Sequence, residues 1–281
     1  MIQVMLAEGM DWGRQFRPFT LYHLLMTVSC VLAMAGAWVI GKRLESSAAE
    51  AKFRINWGWC VLAYKIVETA WYNWPGNFDI GESLPLQLCD LAAFVAAAAM
   101  ITQKRVFRTL LYFWGIGLST QAFFTPILTV GYLAPNFWFF WVSHTMIIGS
   151  ATYDIIVRGY RPAVKDLLIG FGLTVAYAGV VTAVNLTWDV NYGYIGNTTP
   201  ENPTIIDKLG SWPLRAFKVA GLVAVLFVIL WGVWPLAKKL GLVKGRRPDS
   251  GTCPTCGYDL TGAAAGSPCP ECGATRQDAI P

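Results

Sequence analysis

Three polar residues, Gln87, Cys89 and Asp90, fall within one turn at the start of a hydrophobic stretch that continues to Ile101. A cysteine near a helix N-terminus can act as a nucleophile, because the helix dipole favours its thiolate. Asp90 opposes that ionisation by like-charge repulsion unless its carboxylate is itself paired. His144, one of two histidines in the chain, is a candidate proton carrier near neutral pH. These residue types suit nucleophilic chemistry at a cysteine, but alone they leave open whether Cys89 reacts or only packs.

A second group of reactive residues lies near the C-terminus. Cys253 and Cys256 form one Cys-x-x-Cys pair, Cys269 and Cys272 form another, and twelve residues separate the pairs. Four thiolates at this spacing predict a closed, tetrahedral and therefore structural Zn²⁺ site. Iron in a rubredoxin-like site is the alternative, and disulfides are disfavoured if the tail lies in reducing cytosol.

Hydrophobic segments must position the first group. The chain is 55% hydrophobic and 14% charged, whereas soluble domains carry about 25% charge. Apolar runs of about 20 residues match the thickness of a bilayer core. We predict an all-α polytopic membrane protein with seven transmembrane helices and no signal peptide. The predicted spans are Thr20–Ile40, Asn56–Trp74, Pro85–Thr102, Val106–Phe123, Phe137–Val157, Val164–Leu186 and Leu214–Leu236.

The basic residues alternate between connections, which predicts the orientation. The connections Pro75–Leu84 and Gln121–Asn136 carry no Lys or Arg, and Thr187–Pro213 carries Lys208 alone. The intervening connections and the tail hold Lys42, Arg43, Lys52, Arg54, Lys104, Arg105, Arg108, Arg158, Arg161, Lys165, Lys238, Lys239, Lys244, Arg246 and Arg247. The positive-inside rule then places the N-terminus outside and the C-terminus in the cytoplasm. This accounts for the net charge of +5 without a nucleic-acid partner.

The expected domain organisation follows from these segments. Residues 1–19 precede the helices, 20–240 form the transmembrane domain, 241–251 form a basic linker, 252–274 form the zinc ribbon, and 275–281 form a tail. The ribbon is too small to fold on hydrophobic burial alone, so bound metal would stabilise it. A ribbon in the cytoplasm is a candidate binding module for a cytoplasmic protein partner. Its few basic residues argue against a nucleic-acid partner.

Further polar residues are predicted to lie at the same depth in the membrane as Cys89, near the outer face. The depth is estimated by counting about 1.5 Å per residue from the outer end of each predicted helix. These residues predict a cavity lined by Glu68, Lys65, His23, Gln121, Thr125 and Asn185, capped by a loop that contains Asn191, Tyr192, Asp207 and Trp212. Lys65 and Glu68 are three residues apart, so an ion pair that only locks helices is an alternative. His23 can simply snorkel to the interface, and the loop can be an ordinary interfacial one.

Several short motifs occur in an order that resembles the YwaF-like integral membrane proteins. They are Leu84–Asp90, Phe113-Trp114-Gly115, Gln121-Ala122, Thr125-Pro126, Phe139-Phe140 with His144, Asn191–Tyr194 and Asp207–Pro213. The resemblance covers Thr20 to Leu236 and does not include the ribbon. Bacterial members commonly carry His where this chain has Gln87.

The resemblance implies a function for the first group of residues. The animal branch of the family is regarded as a phospholipid acyltransferase with a cysteine acyl carrier, which implies Cys89 as nucleophile and His144 as its partner. We therefore expect a lipid acyltransferase or thioester hydrolase in the bacterial cytoplasmic membrane, acting on membrane lipid. A solute or proton transporter is one alternative, because ionisable residues can line a path. A receptor or scaffold with a cytoplasmic ribbon is the other.

Overall fold

The computed structural model describes residues 11–45, 47–197, 206–241, 253 and 266–269, and this part of the chain is helical. Its only strand-like pairing is an isolated bridge between Gln15 and Val130. The α-helices are α1 (Leu21–Leu44), α2 (Ala48–Tyr72), α3 (Leu88–Thr102), α4 (Arg105–Leu110), α5 (Pro135–Ile156), α6 (Val164–Trp188) and α7 (Leu214–Lys239). α4 runs directly into a π-helical segment, Leu111–Leu118, and a short 3-10 turn, Thr120–Phe123.

Each predicted span corresponds to a helical segment, but two differ in form. α2 begins at Ala48 rather than Asn56, directly after its N-cap residue Ser47, and the charged residues Glu50 and Arg54 of its first two turns are buried. The fourth segment combines an α-helical turn, a π-helical segment and a 3-10 turn instead of forming a plain α-helix. Within the described residues, three helices are long and apolar enough to cross a membrane, α1, α6 and α7, while α3 is apolar but shorter. Seven crossings and their orientation stay predictions.

The helices alternate in direction around α3. Lys65 of α2 contacts Asp90 of α3, and Arg54 of α2 donates to the Met100 carbonyl, so α2 and α3 are antiparallel. We call the side at which α1 begins the N-terminal side and the other the C-terminal side. α3 occupies the centre, and its alanines Ala92, Ala93, Ala96, Ala97 and Ala99 are all buried. These small side chains let neighbouring helices approach closely.

Buried ion pairs join the helices on the C-terminal side. Arg108 of α4 binds Asp154 of α5 at 2.9 Å, and both side chains are almost fully buried. Glu50 of α2 lies 3.3 Å from both Arg54 and Arg158. Breaking a buried pair is costly because the remaining charge is left uncompensated. The network therefore fixes how the helices pack on the side opposite Cys89.

Gly58 sets the distance between α2 and α3. A Cβ atom on Gly58 would lie 2.7 Å from Ile101 Cγ1 and 3.1 Å from the Ala97 carbonyl oxygen. Because the second neighbour is backbone, α2 has to move away from α3 to admit a methyl group. The close approach is what brings the side chain of Lys65 to Asp90.

We expect Gly58→Ala to lower the free energy of unfolding by about 1–3 kcal/mol, the usual cost of overpacking. The matched control is Gly36→Ala on α1, where nothing lies within 4 Å of an added Cβ. That change should be neutral or stabilising, because alanine favours a helix over glycine. Thermal unfolding of both variants in detergent checks this; equal melting temperatures would contradict the packing described.

Candidate functional site

The Lys65 ammonium is shared by two carboxylates from different helices. Lys65 Nζ lies 2.5 Å from Asp90 Oδ1 on α3 and 3.3 Å from Glu68 Oε2 on α2. The side chain of Lys65 is 4% exposed, and those of Glu68 and Asp90 are 9% and 15% exposed. The pairing of Lys65 with Glu68 agrees with their spacing, and Asp90 is the additional partner from α3. Ser143 of α5 donates to Glu68 Oε2 at 2.5 Å, which extends the cluster to a third helix.

Cys89 lies in the first turn of α3, where the helix opens toward the N-terminal side. Cys89 is half-buried, whereas Ala92 and Ala93, one turn further along, are 0% and 2% exposed. The thiol side chain packs against the cluster that contains Tyr112, Phe113 and Ile147. The residue is therefore less buried than the alanines that follow it, although its side chain contacts an apolar cluster.

Asp90 is fully engaged by groups that offset its charge. Asp90 Oδ2 accepts a hydrogen bond from the Gln87 backbone N–H at 3.2 Å, and Oδ1 contacts Lys65. The sequence left open whether Asp90 would repel a thiolate at Cys89. Because the carboxylate is paired with Lys65 and caps the helix, part of that repulsion is offset, but the single ammonium is shared by two carboxylates.

The side chain of Gln87 has a defined orientation. Its Oε1 accepts from the Gly193 N–H at 2.9 Å, so the amide group Nε2 points away from that loop backbone. No hydrogen bond joins Nε2 to any residue within the described parts of the chain. Gln87 thus keeps a free N–H donor two residues from Cys89, although it offers no base.

The loop after α6 is pinned to the start of α3. Asn185 bridges the backbone N–H and carbonyl of Tyr192 at 2.8 and 2.9 Å. The buried Tyr192 hydroxyl donates to the Ile80 carbonyl and accepts from the Leu84 N–H, and burial raises its pKa.

The conformation of the same loop depends on Gly193, which has φ of 66°, a value that favours glycine, and an added Cβ would lie 3.0 Å from the Tyr177 hydroxyl. Asn191 holds the loop itself by accepting from the Gly196 N–H at 2.8 Å.

His144 has one engaged and one available ring nitrogen. Nδ1 lies 2.7 Å from the Phe140 carbonyl, which can only accept, so Nδ1 carries the proton in this contact. Nε2 then has a lone pair and makes no hydrogen bond to the residues that the structure describes. A neutral imidazole with this tautomer can accept a proton at Nε2.

The helix register places Cys89 and His144 at one level. Ala96 and Ala97 of α3 share a cluster with Ala151 of α5, and Ala92 and Ala93 share one with Ile147. In both clusters the residue number on α5 exceeds that on α3 by about 54–55. Because the two helices are parallel and rise equally per residue, the same difference puts Cys89 level with Ser143 or His144. Cys89 and His144 also both lie within electrostatic range of Lys65.

Other predicted site residues lie elsewhere. His23 is buried, but its two ring nitrogens contact the Phe19 N–H and the Phe123 carbonyl, so it joins α1 to the 3-10 turn. Gln121 and Thr125 are exposed, because the 3-10 turn directs them away from the helix interface. Trp212 is half-buried, and Asp207 begins a short 3-10 turn, with its side chain outside the described part.

Sequence reasoning missed three residues of the site. Ser143 binds Glu68, while Tyr72 and Tyr177 lie within electrostatic range of Cys89. Tyr177 donates to the Leu86 carbonyl at 2.9 Å, just before α3 begins. Tyr72 and Ser143 could have been found by spacing, since Tyr72 is one turn from Glu68 and Ser143 adjoins His144. No local signal marks Tyr177.

The described part of the cysteine motif is small. Cys253 and Cys269, the first cysteine of each pair, are buried at 0% and 2% exposure. Cys256 and Cys272 lie outside the described residues. Within the described residues no group of three His, Cys, Asp or Glu side chains could hold a metal ion.

The fold and the apolar helices define a helical integral membrane protein. The sequence profile of the TMEM164 family matches residues 16–231, so the chain belongs to this family. The match covers every helix from α1 to most of α7 and stops before the cysteine pairs. No curated protein and no solved structure matches the chain.

Removing the Lys65 ammonium should destabilise the fold strongly. Lys65→Met leaves two nearly buried carboxylates without a cation, which costs about 3–5 kcal/mol. The matched control is Lys42→Met: Lys42 pairs with Glu45 at 2.9 Å but is 48% exposed, so its loss costs at most about 1 kcal/mol. Thermal unfolding in detergent measures both changes. If Lys65→Met lowers the melting temperature no more than Lys42→Met, the shared ion pair does not hold α2 to α3.

Proposed function

We propose that this protein transfers acyl groups between membrane lipids, or hydrolyses acyl thioesters, through a covalent intermediate on Cys89. The observation that carries the proposal is the common level of a half-buried thiol and an imidazole whose Nε2 is available. The two residues lie on adjacent, parallel helices and share the Lys65 environment. Covalent acyl transfer requires a nucleophile with a base within hydrogen-bond reach, and two residues at one level of adjacent helices are placed to meet this requirement.

The first half-reaction moves the acyl group to the protein. His144 Nε2 accepts the Cys89 proton while Sγ attacks the carbonyl carbon of the donor. The tetrahedral adduct collapses, the bond to the leaving oxygen or sulfur breaks, and His144 returns the proton to that leaving group. Because the thiol packs against an apolar cluster, proton transfer during attack is more suitable than a standing thiolate.

The second half-reaction regenerates the thiol. An acceptor hydroxyl gives its proton to His144 while its oxygen attacks the thioester carbon. The C–S bond breaks, and the proton passes from His144 to Sγ. A lipid alcohol as acceptor gives acyl transfer, and water gives hydrolysis.

Two neighbouring groups support this chemistry. The Gln87 Nε2 donor, oriented by Gly193, is suited to bind the oxygen that becomes negative in the adduct. Lys65 offsets the charges of Glu68 and Asp90 around the thiol. The buried alanines below Cys89 favour an enzyme site closed on one side over a continuous transport path.

We also propose that the four C-terminal cysteines form a structural zinc site. The burial of Cys253 and Cys269 fits thiolates that turn toward a common centre instead of solvent. Zinc in such a site stabilises the ribbon fold, and the chemistry at Cys89 does not pass through it.

Cys89 should carry the acyl group. Full-length protein in lipid nanodiscs is incubated with a phospholipid or an acyl thioester whose chain bears an alkyne tag. We expect the tag on the Cys89 peptide, no tag in Cys89→Ala, and unchanged tagging in Cys60→Ala, which removes an exposed cysteine of α2. Mass spectrometry locates the tag. Absence of acylated Cys89 with both donors overturns the proposed function.

His144→Ala should slow acylation of Cys89 by about 10²–10⁴-fold, the usual contribution of a general base. His23→Ala is the matched control, because both nitrogens of His23 contact backbone groups instead of the site. It should leave the rate per folded molecule unchanged. Rates are compared in samples matched by thermal unfolding, and an equal loss in both variants would count against His144 as the base.

The C-terminal cysteines should bind about one Zn²⁺ per chain, as expected for a Cys₄ ribbon. Cys253→Ser and Cys269→Ser should abolish this zinc, whereas Cys30→Ala should retain it. Elemental analysis of the purified protein measures the ratio. Stoichiometric iron, or zinc that persists in both serine variants, would contradict the proposed site.

A further inference from the structure

The end of the π-helical segment holds a buried hydroxyl without a partner. Ser119 is 3% exposed, and its Oγ makes no hydrogen bond within the described residues. Buried polar groups are normally hydrogen-bonded, because leaving one unsatisfied costs free energy. The adjacent Thr120 is ordinary in this respect, since its Oγ1 donates to the Ile116 carbonyl at 2.7 Å.

The π-helical geometry explains the difference between these two hydroxyls. Helical Ser and Thr usually donate to the carbonyl four residues earlier, as Thr145 and Thr152 do here. For Ser119 that carbonyl belongs to Gly115, and Thr120 Oγ1 contacts it at 3.3 Å. The Ser119 backbone N–H instead donates to Trp114 O, five residues earlier. Such π-helical distortions recur at functional sites.

The packing of this segment against α5 fixes the level of Ser119 along that helix. An added Cβ on Gly115 would meet Ile147 Cγ2 at 3.5 Å, and the ring of Phe123 stacks on Trp141 at 5.8 Å. Ser119 is midway between Gly115 and Phe123, and His144 is midway between Ile147 and Trp141. Because the two segments are antiparallel, Ser119 and His144 lie at the same level.

Three helical segments therefore bring one polar residue each to the same level. The π-helical segment, α3 and α5 pack against one another pairwise, and they carry Ser119, Cys89 and His144. Among the described buried hydroxyls without a partner, Tyr22 and Thr27 lie on α1 and Thr69 lies on α2, outside this junction.

We propose that the Ser119 hydroxyl donates a hydrogen bond to the carbonyl oxygen of the acyl group bound at Cys89. The inference rests on the proposed function, because it assigns a second oxyanion donor to that site beside Gln87. The unpaired hydroxyl gains a partner only when the acyl carbonyl is present. Its contribution rises as that oxygen acquires negative charge during attack.

The test compares two reactions of the same thiol in the full-length protein. Acylation of Cys89 by the tagged phospholipid or thioester passes through an oxyanion, whereas alkylation by iodoacetamide does not. We expect Ser119→Ala to slow acylation by about 10²–10³-fold, the usual cost of losing one oxyanion donor, with alkylation unchanged. Ser119→Thr, which retains the hydroxyl, should recover most of the rate.

Thr120→Ala is the matched control, because its hydroxyl is satisfied by backbone. It should leave the ratio of acylation to alkylation unchanged. If wild-type Cys89 is acylated and Ser119→Ala acylates equally fast, the Ser119 inference is overturned and the proposed function stands. If Ser119→Ala slows both reactions alike, Ser119 is structural and the inference is also overturned. If wild-type Cys89 is not acylated, both the proposed function and this inference fall.

Discussion

The shared ammonium of Lys65 is the interaction on which the geometry around Cys89 depends. Taking a cation and two carboxylates out of water is favourable only when their geometry is good, so the contact fixes α2 against α3. The Asp90 carboxylate accepts a hydrogen bond from the Gln87 backbone N–H, and the Gln87 side chain accepts one from the Gly193 backbone N–H. A continuous series of polar contacts thus runs from the middle of α2 to the loop after α6. Cys89 lies inside this series, and its side chain packs against the apolar cluster that contains Tyr112, Phe113 and Ile147.

Much of the architecture was accessible from the sequence because it follows from composition and short-range spacing. Runs of apolar residues identified the helical segments, and the three-residue spacing of Lys65 and Glu68 identified their ion pair. The bounds of α2 were less accessible, since its first two turns carry Glu50 and Arg54, which a search for apolar runs rejects. Glu50 contacts Tyr153 of α5 and Arg158 just beyond it, and Arg54 contacts the Met100 carbonyl of α3, so no local pattern contains the information that buries them.

The site was harder to define because depth along a helix does not specify direction around it. Gln121 and His23 lie near the ends of their helical segments, as expected, yet Gln121 is exposed and His23 binds backbone. Conversely, Ser143 and Tyr177 look unremarkable in sequence, because serine and tyrosine in membrane helices often only satisfy backbone groups. Their roles come from tertiary contacts with Glu68 and Leu86. The tautomer of His144 likewise depends on a carbonyl that only the folded helix presents.

The π-helical segment Leu111–Leu118 has a consequence for how this chain tolerates change in length. A π-helix accommodates one more residue per turn than an α-helix needs, so it behaves as an insertion absorbed within a helix. Deleting one residue there would restore α-helical pitch and leave the residues that follow on nearly the same faces, whereas a deletion in a regular α-helix rotates all that follows by about 100°. Ser119 and Phe123 would keep their faces, and the Phe123 carbonyl would stay beside His23. A single-residue deletion is therefore tolerated better in this segment than in the regular helices α3 and α5 that pack against it.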